Sequence, residues 1–384
     1  MLDRRLVALC AGNFIVATSL HIVAGLLTEI AHSLQVSIAQ AGFLMAAFAV
    51  TSFICAPLFA ALGSRLDRRH LLAGSMLICA LANGLAAFSD TYGQLLATRL
   101  LAAVTSAIFT PQAAAVLSVM VPVERRGQAI TIVMSGWGLA AVAGIPLGVL
   151  MGHAVGWRAT MGSISIVCLL VAGALWWSLP AKIFVPSLSL KSWLSVLKSR
   201  PLMLVLGASF LLNSGNSVAF NYLAAMVVGL HDAGGEVISS LFLVHGLGSL
   251  TSSVVATLLM ARLGSHRIAF ILGICVFLSL SLWPLLAFSL PALFILQFIW
   301  SMGFAGFPPV QQARLVIIAP ALASASVALN SSLNYLSAAI GTSLGGVMWD
   351  VVGPRYLPWV GLLPIILGVF FVYKSMKRGV VTAT

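Results

Sequence analysis

The sequence predicts an all-α integral membrane protein: twelve transmembrane helices in two pseudo-symmetric six-helix halves. Three observations predict it. Of the 384 residues, 61% are hydrophobic and 7% charged, against about a quarter charged in soluble domains, and the mean hydropathy is +1.10. Nearly uncharged runs of about 18 to 25 residues recur along the chain, each long enough as a helix to cross about 30 Å of hydrocarbon. Strand-like alternation is absent, which disfavours a β-barrel.

Span 1 (6–30) follows Arg4 and Arg5; it outruns the ~7 to 15 apolar residues of a signal peptide and is read as uncleaved. Span 2 (39–62) ends at the charged stretch GSRLDRRH, from which span 3 (71–88) starts. Span 4 (94–119) stops before VERR, span 5 (128–152) is rich in glycine, and span 6 (159–180) follows GWR. A polar linker, 181–200, carries Leu190, Trp193, Leu194 and Leu197 at i, i+3, i+4 and i+7, the mark of a short amphipathic helix lying on the membrane surface. Spans 7 to 12 are expected at 202–230, 237–261, 268–288, 291–313, 321–346 and 357–373. The domains are therefore an N-terminal half, 1–180, the linker, and a C-terminal half, 201–384.

The net charge of +12 has a topological explanation. Under this layout 17 of the 20 Lys and Arg fall at the two termini and in the loops on one side. By the positive-inside rule that side, with both termini, is cytoplasmic, and the excess charge faces anionic lipid rather than nucleic acid. Five cysteines, all within apolar spans, show no CxxC or His/Cys ligand spacing, so neither a disulfide nor a metal site is expected. No Walker motif or supported nucleophile–base pair occurs, so neither an enzyme nor a cofactor is expected.

A shift of 197 residues aligns GIPLGVLMGHAVGWR (144–158) with GTSLGGVMWDVVGPR (341–355), and the same shift puts Arg65 and Leu66 on Arg262 and Leu263. One offset serving two separated places points to duplication. Two parallel six-helix repeats are an architecture of secondary transporters that rock about a midplane site.

In the loop between spans 2 and 3, Gly63, Arg65, Asp67, Arg68 and Arg69 concentrate charge. Asp67 sits where a helix N-terminus favours a carboxylate, with Arg125 and Arg126 as further candidate cations. Such a cluster can form in one state of a gate and break in another; the alternative is a solvated positive-inside loop.

GSRLDRRHLL resembles the loop signature of the major facilitator superfamily, although its second-half copy, ARLGSHR, has Gly264 in place of the acid. AGLLTEIAHSLQVSIAQAG, VPVERRGQAI, GIPLG with GWRATM, and GFPPVQQARLVIIAPALASASVALNSSLNYLSAAIGTSLGG are similar to the twelve-span drug:proton antiporter group, especially its arabinose-efflux-permease and sugar-efflux branch. The resemblance implies the major facilitator fold. In span 5 it implies an antiporter motif over Gly144, Pro146 and Gly148, whose face would meet span 8; Gly341 and Gly345 would likewise meet span 2. In ATRLLAAVTSA it implies a link between Arg99 and proton transfer. Where relatives often carry a mid-span-1 Glu, this chain has Leu20 with His21 beside it.

No Asp or Glu lies deep in a span; Glu29 and Asp350 fall near span ends. Proton-coupling candidates are therefore His21, His245, Arg99 and Glu29, imidazole being the side chain that titrates near physiological pH. Buried amides need partners, either neighbouring helices or a ligand. Asn213, Asn216, Asn221 and Tyr222 of span 7, Asn330 and Asn334 of span 11, and Gln112, Gln297 and Trp300 suggest a roomy, uncharged pocket for a neutral or weakly charged amphipathic solute.

The expected activity is secondary active export of a small organic solute across a bacterial inner membrane by proton antiport. The expected partners are that solute, protons and membrane lipid, with no nucleic acid, and the expected unit is a monomer. The alternatives are a facilitator or importer of the same fold, or a non-transporting membrane receptor or lipid-handling protein.

Overall fold

The structure is a computed structural model that describes residues 3–62, 66–184 and 190–379. The described residues contain helices and no strand. Span 1 is α1 (Arg4–Gly25) continued by α2 (Leu27–Ser33), with a break at Leu26. Then come α3 (Ile38–Leu62), α4 (Arg68–Ala87) and α5 (Tyr92–Met120). Span 5 is α6 (Val123–Leu139), a π-helical turn (Ala140–Gly144) and α7 (Ile145–Val155). The turn has a covalent cause: Pro146 offers no N–H, and the ladder slips by one residue so that Ile145 N–H reaches Ala140 O.

Next are α8 (Trp157–Ser178), the linker helix α9 (Leu190–Lys198), α10 (Arg200–Phe220) with α11 (Leu223–His231), α12 (Gly235–Leu263), α13 (Ser265–Leu286), α14 (Leu290–Ile318), α15 (Ala323–Val360) and α16 (Leu362–Gly379). Among the described residues eleven stretches are long and apolar enough to cross a membrane; the last, Pro320–Met376, covers 57 residues. Gly353, at φ 74°, breaks it, so it holds two spans and the number is twelve, as hydropathy predicts.

The chain forms two compact units, 1–187 with 234–243 and 188–233 with 244–384. In the first, the small residues of span 5 pack on α1. A Cβ at Gly136 would fall on Cys10 O and Phe14 N, at Gly144 on Thr18, at Gly148 on Ile22 and at Gly152 on Leu26. This corrects the expectation that the glycine face meets span 8. A stripe at every fourth residue admits a close neighbour, and that neighbour is the first span. The segment 234–243 meets the carbonyl side of Pro146 instead, where Ser239 Oγ donates at 2.9 Å.

The second unit repeats this. Gly341 faces Ser214 O and Ser217, and Gly345 faces Val218 O and Tyr222, so within this unit the eleventh span packs on the seventh. The duplication is visible at two more positions. Gly156 and Gly353 both have positive φ, 93° and 74°, a conformation that glycine adopts freely. Two residues on, Arg158 donates to Ser89 O at 2.8 Å and Arg355 to Pro284 O at 2.9 Å, each tying down the end of its unit's third span.

In α9, Val196 is buried and Trp193 packs with it on Leu202, Val205, Leu206 and Leu329. Leu194 and Leu197 are 57% and 50% exposed, an apolar face of the kind that lies on a membrane surface.

Candidate functional site

Gly63 and Arg65 lie outside the described residues. Asp67 N-caps α4, accepting from Arg69 N–H at 3.0 Å. Its carboxylate also accepts from the backbone N–H groups of Lys182 at 2.7 Å and Ile183 at 3.3 Å, while Arg68 N–H donates to Ile183 O at 3.0 Å. Loop and linker are thus stitched in both directions, by two linker amides on the Asp67 carboxylate and one loop amide on a linker carbonyl. Partial burial pulls the Asp67 carboxyl upward, but the three N–H donors, with His70 at 3.3 Å, hold it below its usual range.

Sign follows from the lowered value: the carboxylate's contribution to stability is complete above its unfolded-state range and is lost as pH falls through the lower folded one. Arg69 lies over the Trp176 ring at 4.4 Å. Neither Arg125 nor Arg126 comes within ion-pair distance of Asp67; Arg126 Nε donates to Val121 O at 3.0 Å, capping the end of α5, and Arg125 is exposed. The cations expected at Asp67 are therefore replaced by main-chain donors.

Asp67→Asn keeps a competent helix cap but exchanges charge-assisted bonds for neutral ones, a loss of about 1 kcal/mol. Amide hydrogen exchange at Lys182 and Ile183 should then quicken by about five- to tenfold while α4 stays protected. Unchanged exchange at those two amides would show that the carboxylate does not hold the linker.

Arg99 is buried, 1% exposed, with no carboxylate partner among the described residues. Its Nη2 donates to Asn83 Oδ1 at 3.0 Å and Nη1 to Ser19 O at 3.4 Å. Asn83 in turn bonds Ser19 Oγ and Cys79 O. Three spans, α1, α4 and α5, meet in this one polar node. A second node at Asn13, fully buried, links α6 through Val133 O and α5 through Thr110. His21 is half-buried, its ring edge-on to Trp137 at 6.2 Å. Gln112 is buried and its Oε1 has no partner.

In the second unit the expected pocket residues are largely tied to one another. Asn213 Nδ2 donates to Asn334 O and Ser337 Oγ, both at 2.7 Å. Asn221 bonds Thr342 Oγ1, and Tyr222 OH donates to Thr342 O at 3.0 Å. These four fasten α10 and α11 to α15, the adhesive role open to intramembrane polar groups.

A different cluster sits around α14. Trp300 Nε1 donates to Asn216 Oδ1 at 2.9 Å, Gln297 Nε2 lies 2.7 Å from His245 Nδ1, and Ser301 Oγ bonds His245 O. Phe220 packs on His245 at 4.7 Å, and Trp283 lies edge-on to Trp300 at 5.8 Å. Gln297 keeps an unpartnered atom here, Oε1; in α15 the fully buried Asn330 keeps two, Nδ2 and Oδ1.

Two features escape sequence reasoning. Arg314 reads as a loop cation, but α14 runs on to Ile318 and buries it, bonded to His266 Nδ1 at 3.2 Å, Gln311 and Ser375; the apolar Leu315–Ile318 that follows was the available signal. Glu29 pairs with His153 at 2.9 Å beside a 580 Å³ cavity lined by Thr28, Glu29, His32, Trp157 and Arg158. Nothing in the spacing relates positions 29 and 153.

The family model described as Major Facilitator Superfamily matches residues 9–342. A "Probable sugar efflux transporter" of Mannheimia succiniciproducens is 28% identical over 383 residues, 97% of this chain and 94% of that protein. A "Chloramphenicol resistance protein" of Streptomyces lividans is 34% identical over 285 residues, 73% of this chain and 71% of that protein. Among solved structures, a bacterial homologue of the human lysosomal transporter Spinster, in an inward-facing and occupied conformation, superposes with a TM-score of 0.76 at 16% identity, covering 97% of this chain and 96% of that one.

Proposed function

The chain belongs to the Major Facilitator Superfamily and is a multi-pass membrane transporter, not an enzyme; from that premise we propose that it exports a small neutral or weakly charged organic solute by proton antiport with alternating access. The observation that carries this reading is Asn330, a fully buried amide whose two polar atoms both lack a partner among apolar spans. Buried amide atoms are ordinarily satisfied, and in hydrocarbon an orphan is costlier still. A solute rich in hydroxyl, carbonyl or amide groups satisfies them. The sugar efflux and chloramphenicol resistance named for two relatives accord with such a cargo. The basic residues support an orientation with both termini inside, the bacterial relatives accord with a bacterial cytoplasmic membrane, and a monomer surrounded by lipid suffices for the mechanism.

Because all eight Asp and Glu lie at or near span ends or in loops, histidine is the proposed proton carrier. Reconstituted protein should show solute counterflow without a gradient and faster export when the receiving side is acidic. The His21→Gln, His245→Gln double variant should keep counterflow but lose the pH dependence, since glutamine hydrogen-bonds yet takes no proton. Full pH-driven export by that variant would remove histidine from the mechanism and leave Glu29 and Asp350. Counterflow with no pH dependence in the native protein would mark a facilitator, and specific binding without flux a receptor.

A further inference from the structure

We propose that Gln297 reads the protonation of His245 by turning its side-chain amide, so that the pair forms a proton-operated switch inside the second unit. The inference rests on the proton-coupled reading above and assigns Gln297 a positioning role that the reading itself does not require.

His245 lies ten residues into α12 and Gln297 seven residues into α14, about 15 Å and 10 Å from the helix starts at 1.5 Å per residue. The side chains are 7% and 0% exposed, so water is not at hand to adjust their hydrogen bonding. The Gln297 amide nitrogen, 2.7 Å from His245 Nδ1, can only donate, so Nδ1 is here the accepting nitrogen and the neutral ring carries its proton on Nε2. Phe220 against the ring and Ser301 on the His245 carbonyl restrict movement of the histidine. The amide's other end, Oε1, is buried with no partner.

That orphan oxygen belongs to the neutral state alone. Once His245 gains a proton, Nδ1 becomes a donor facing an NH2 group, and two donors oppose each other. A half-turn of the amide about its last torsion, a soft two-fold rotation for glutamine, brings Oε1 onto Nδ1–H. It satisfies the orphan and makes a charge-assisted bond, and the NH2 group swings to the far side. No volume changes, which suits a close-packed site.

The ionisable side chains on the elements packed around His245 are Arg200 in α10, Arg314 in α14, and Glu236 and Arg262 on α12 itself, with Tyr222 after α10. Arg314 is occupied by His266, Gln311 and Ser375, and Tyr222 OH by Thr342. Glu236 and Arg262 sit nine and seventeen residues along the helix. Gln297, Trp300 and Ser301 share one face of α14 at i, i+3 and i+4, so the turning amide lies one helical turn from the Trp300–Asn216 bond.

The test is a ¹⁵N NMR titration of histidine-labelled full-length protein in lipid nanodiscs, the His245 signal assigned by its loss in His245→Gln. The expected result is an Nε2–H tautomer at high pH that becomes doubly protonated as pH falls through about 8 to 5, the range in which imidazoles titrate. Gln297→Glu, a permanent acceptor, should raise the midpoint by at least about one pH unit, and Gln297→Met, with no acceptor, should lower it by as much; the pH profile of export should move in step. A His245 signal that never titrates, or that titrates at the same pH in native, Gln297→Glu and Gln297→Met proteins, overturns the proposal. Should a variant fail to fold, the tautomer and titration of the native signal still decide. Export without pH dependence alongside a shifting midpoint would refute the antiport reading and leave the switch standing.

Discussion

Gly341→Leu is expected to abolish assembly of the second unit, while Gly74→Ala leaves the protein as stable as before. A Cβ at 341 falls on Ser214 O, and one at 345 lies 2.5 Å from Val218 O and 2.8 Å from a Tyr222 ring carbon. Backbone oxygens within α10 cannot step aside; the whole helix must move. Moving it stretches the Asn213, Asn221 and Tyr222 bonds to α15, each worth about 0.6 kcal/mol in a membrane protein. Overpacking itself costs about 1–3 kcal/mol for added methylenes, so the total, about 3–5 kcal/mol, reaches the low end of a domain's whole stability. At Gly74 nothing lies within 4 Å. Size-exclusion profiles and thermal unfolding in detergent provide the check. Gly144→Leu, which meets the Thr18 and Phe14 side chains rather than main chain, should fall between the two. A monodisperse Gly341→Leu protein with native melting would mean that α10 and α15 do not pack as described.

The same glycines show what the sequence makes legible and what it does not. Spacing at every fourth residue announces a smooth face, and the 197-residue offset announces that both units use it, but a smooth face does not say which helix it meets; three-dimensional packing chose the first span of each unit. Span positions were readable because twenty apolar residues without charge have one stable disposition in a bilayer. Arg314 was misplaced for the same reason in reverse: a cation ending an apolar run looks like a loop, although polar partners on its own helix and on two neighbouring ones can bury it. Asp67 was recognisable as a helix cap from its place before α4, whereas its other donors lie 115 and 116 residues away and are main-chain groups, which no side-chain pattern reports. The amides were ambiguous in principle, since a fastener and a ligand-binding group are the same chemical group until their partners are known.

Arg99→Met is expected to abolish transport without lowering thermal stability. Burying a guanidinium costs several kcal/mol in lost hydration, and a nearby opposite charge is what usually offsets it. Here the offset comes from two bonds to neutral acceptors, Asn83 Oδ1 and Ser19 O, with Nε unpartnered. Removing one member of a buried ion pair is destabilising because it strands the other charge; Arg99 strands none. After substitution Asn83 keeps its bonds to Ser19 Oγ and Cys79 O, and methionine fills most of the vacated volume with an adaptable apolar chain. The melting temperature should therefore hold or rise, the gain reaching about 1–4 kcal/mol where buried charge is exchanged for packed apolar groups. A charge kept at such expense in the middle of three spans is what a working group in a membrane protein looks like, and without it solute flux in reconstituted vesicles should fall at least about a hundredfold, a loss of about 2.7 kcal/mol in the barrier by transition-state arithmetic. Native flux with a depressed melting temperature is the opposite pairing, and it would make Arg99 a structural fastener of α1, α4 and α5.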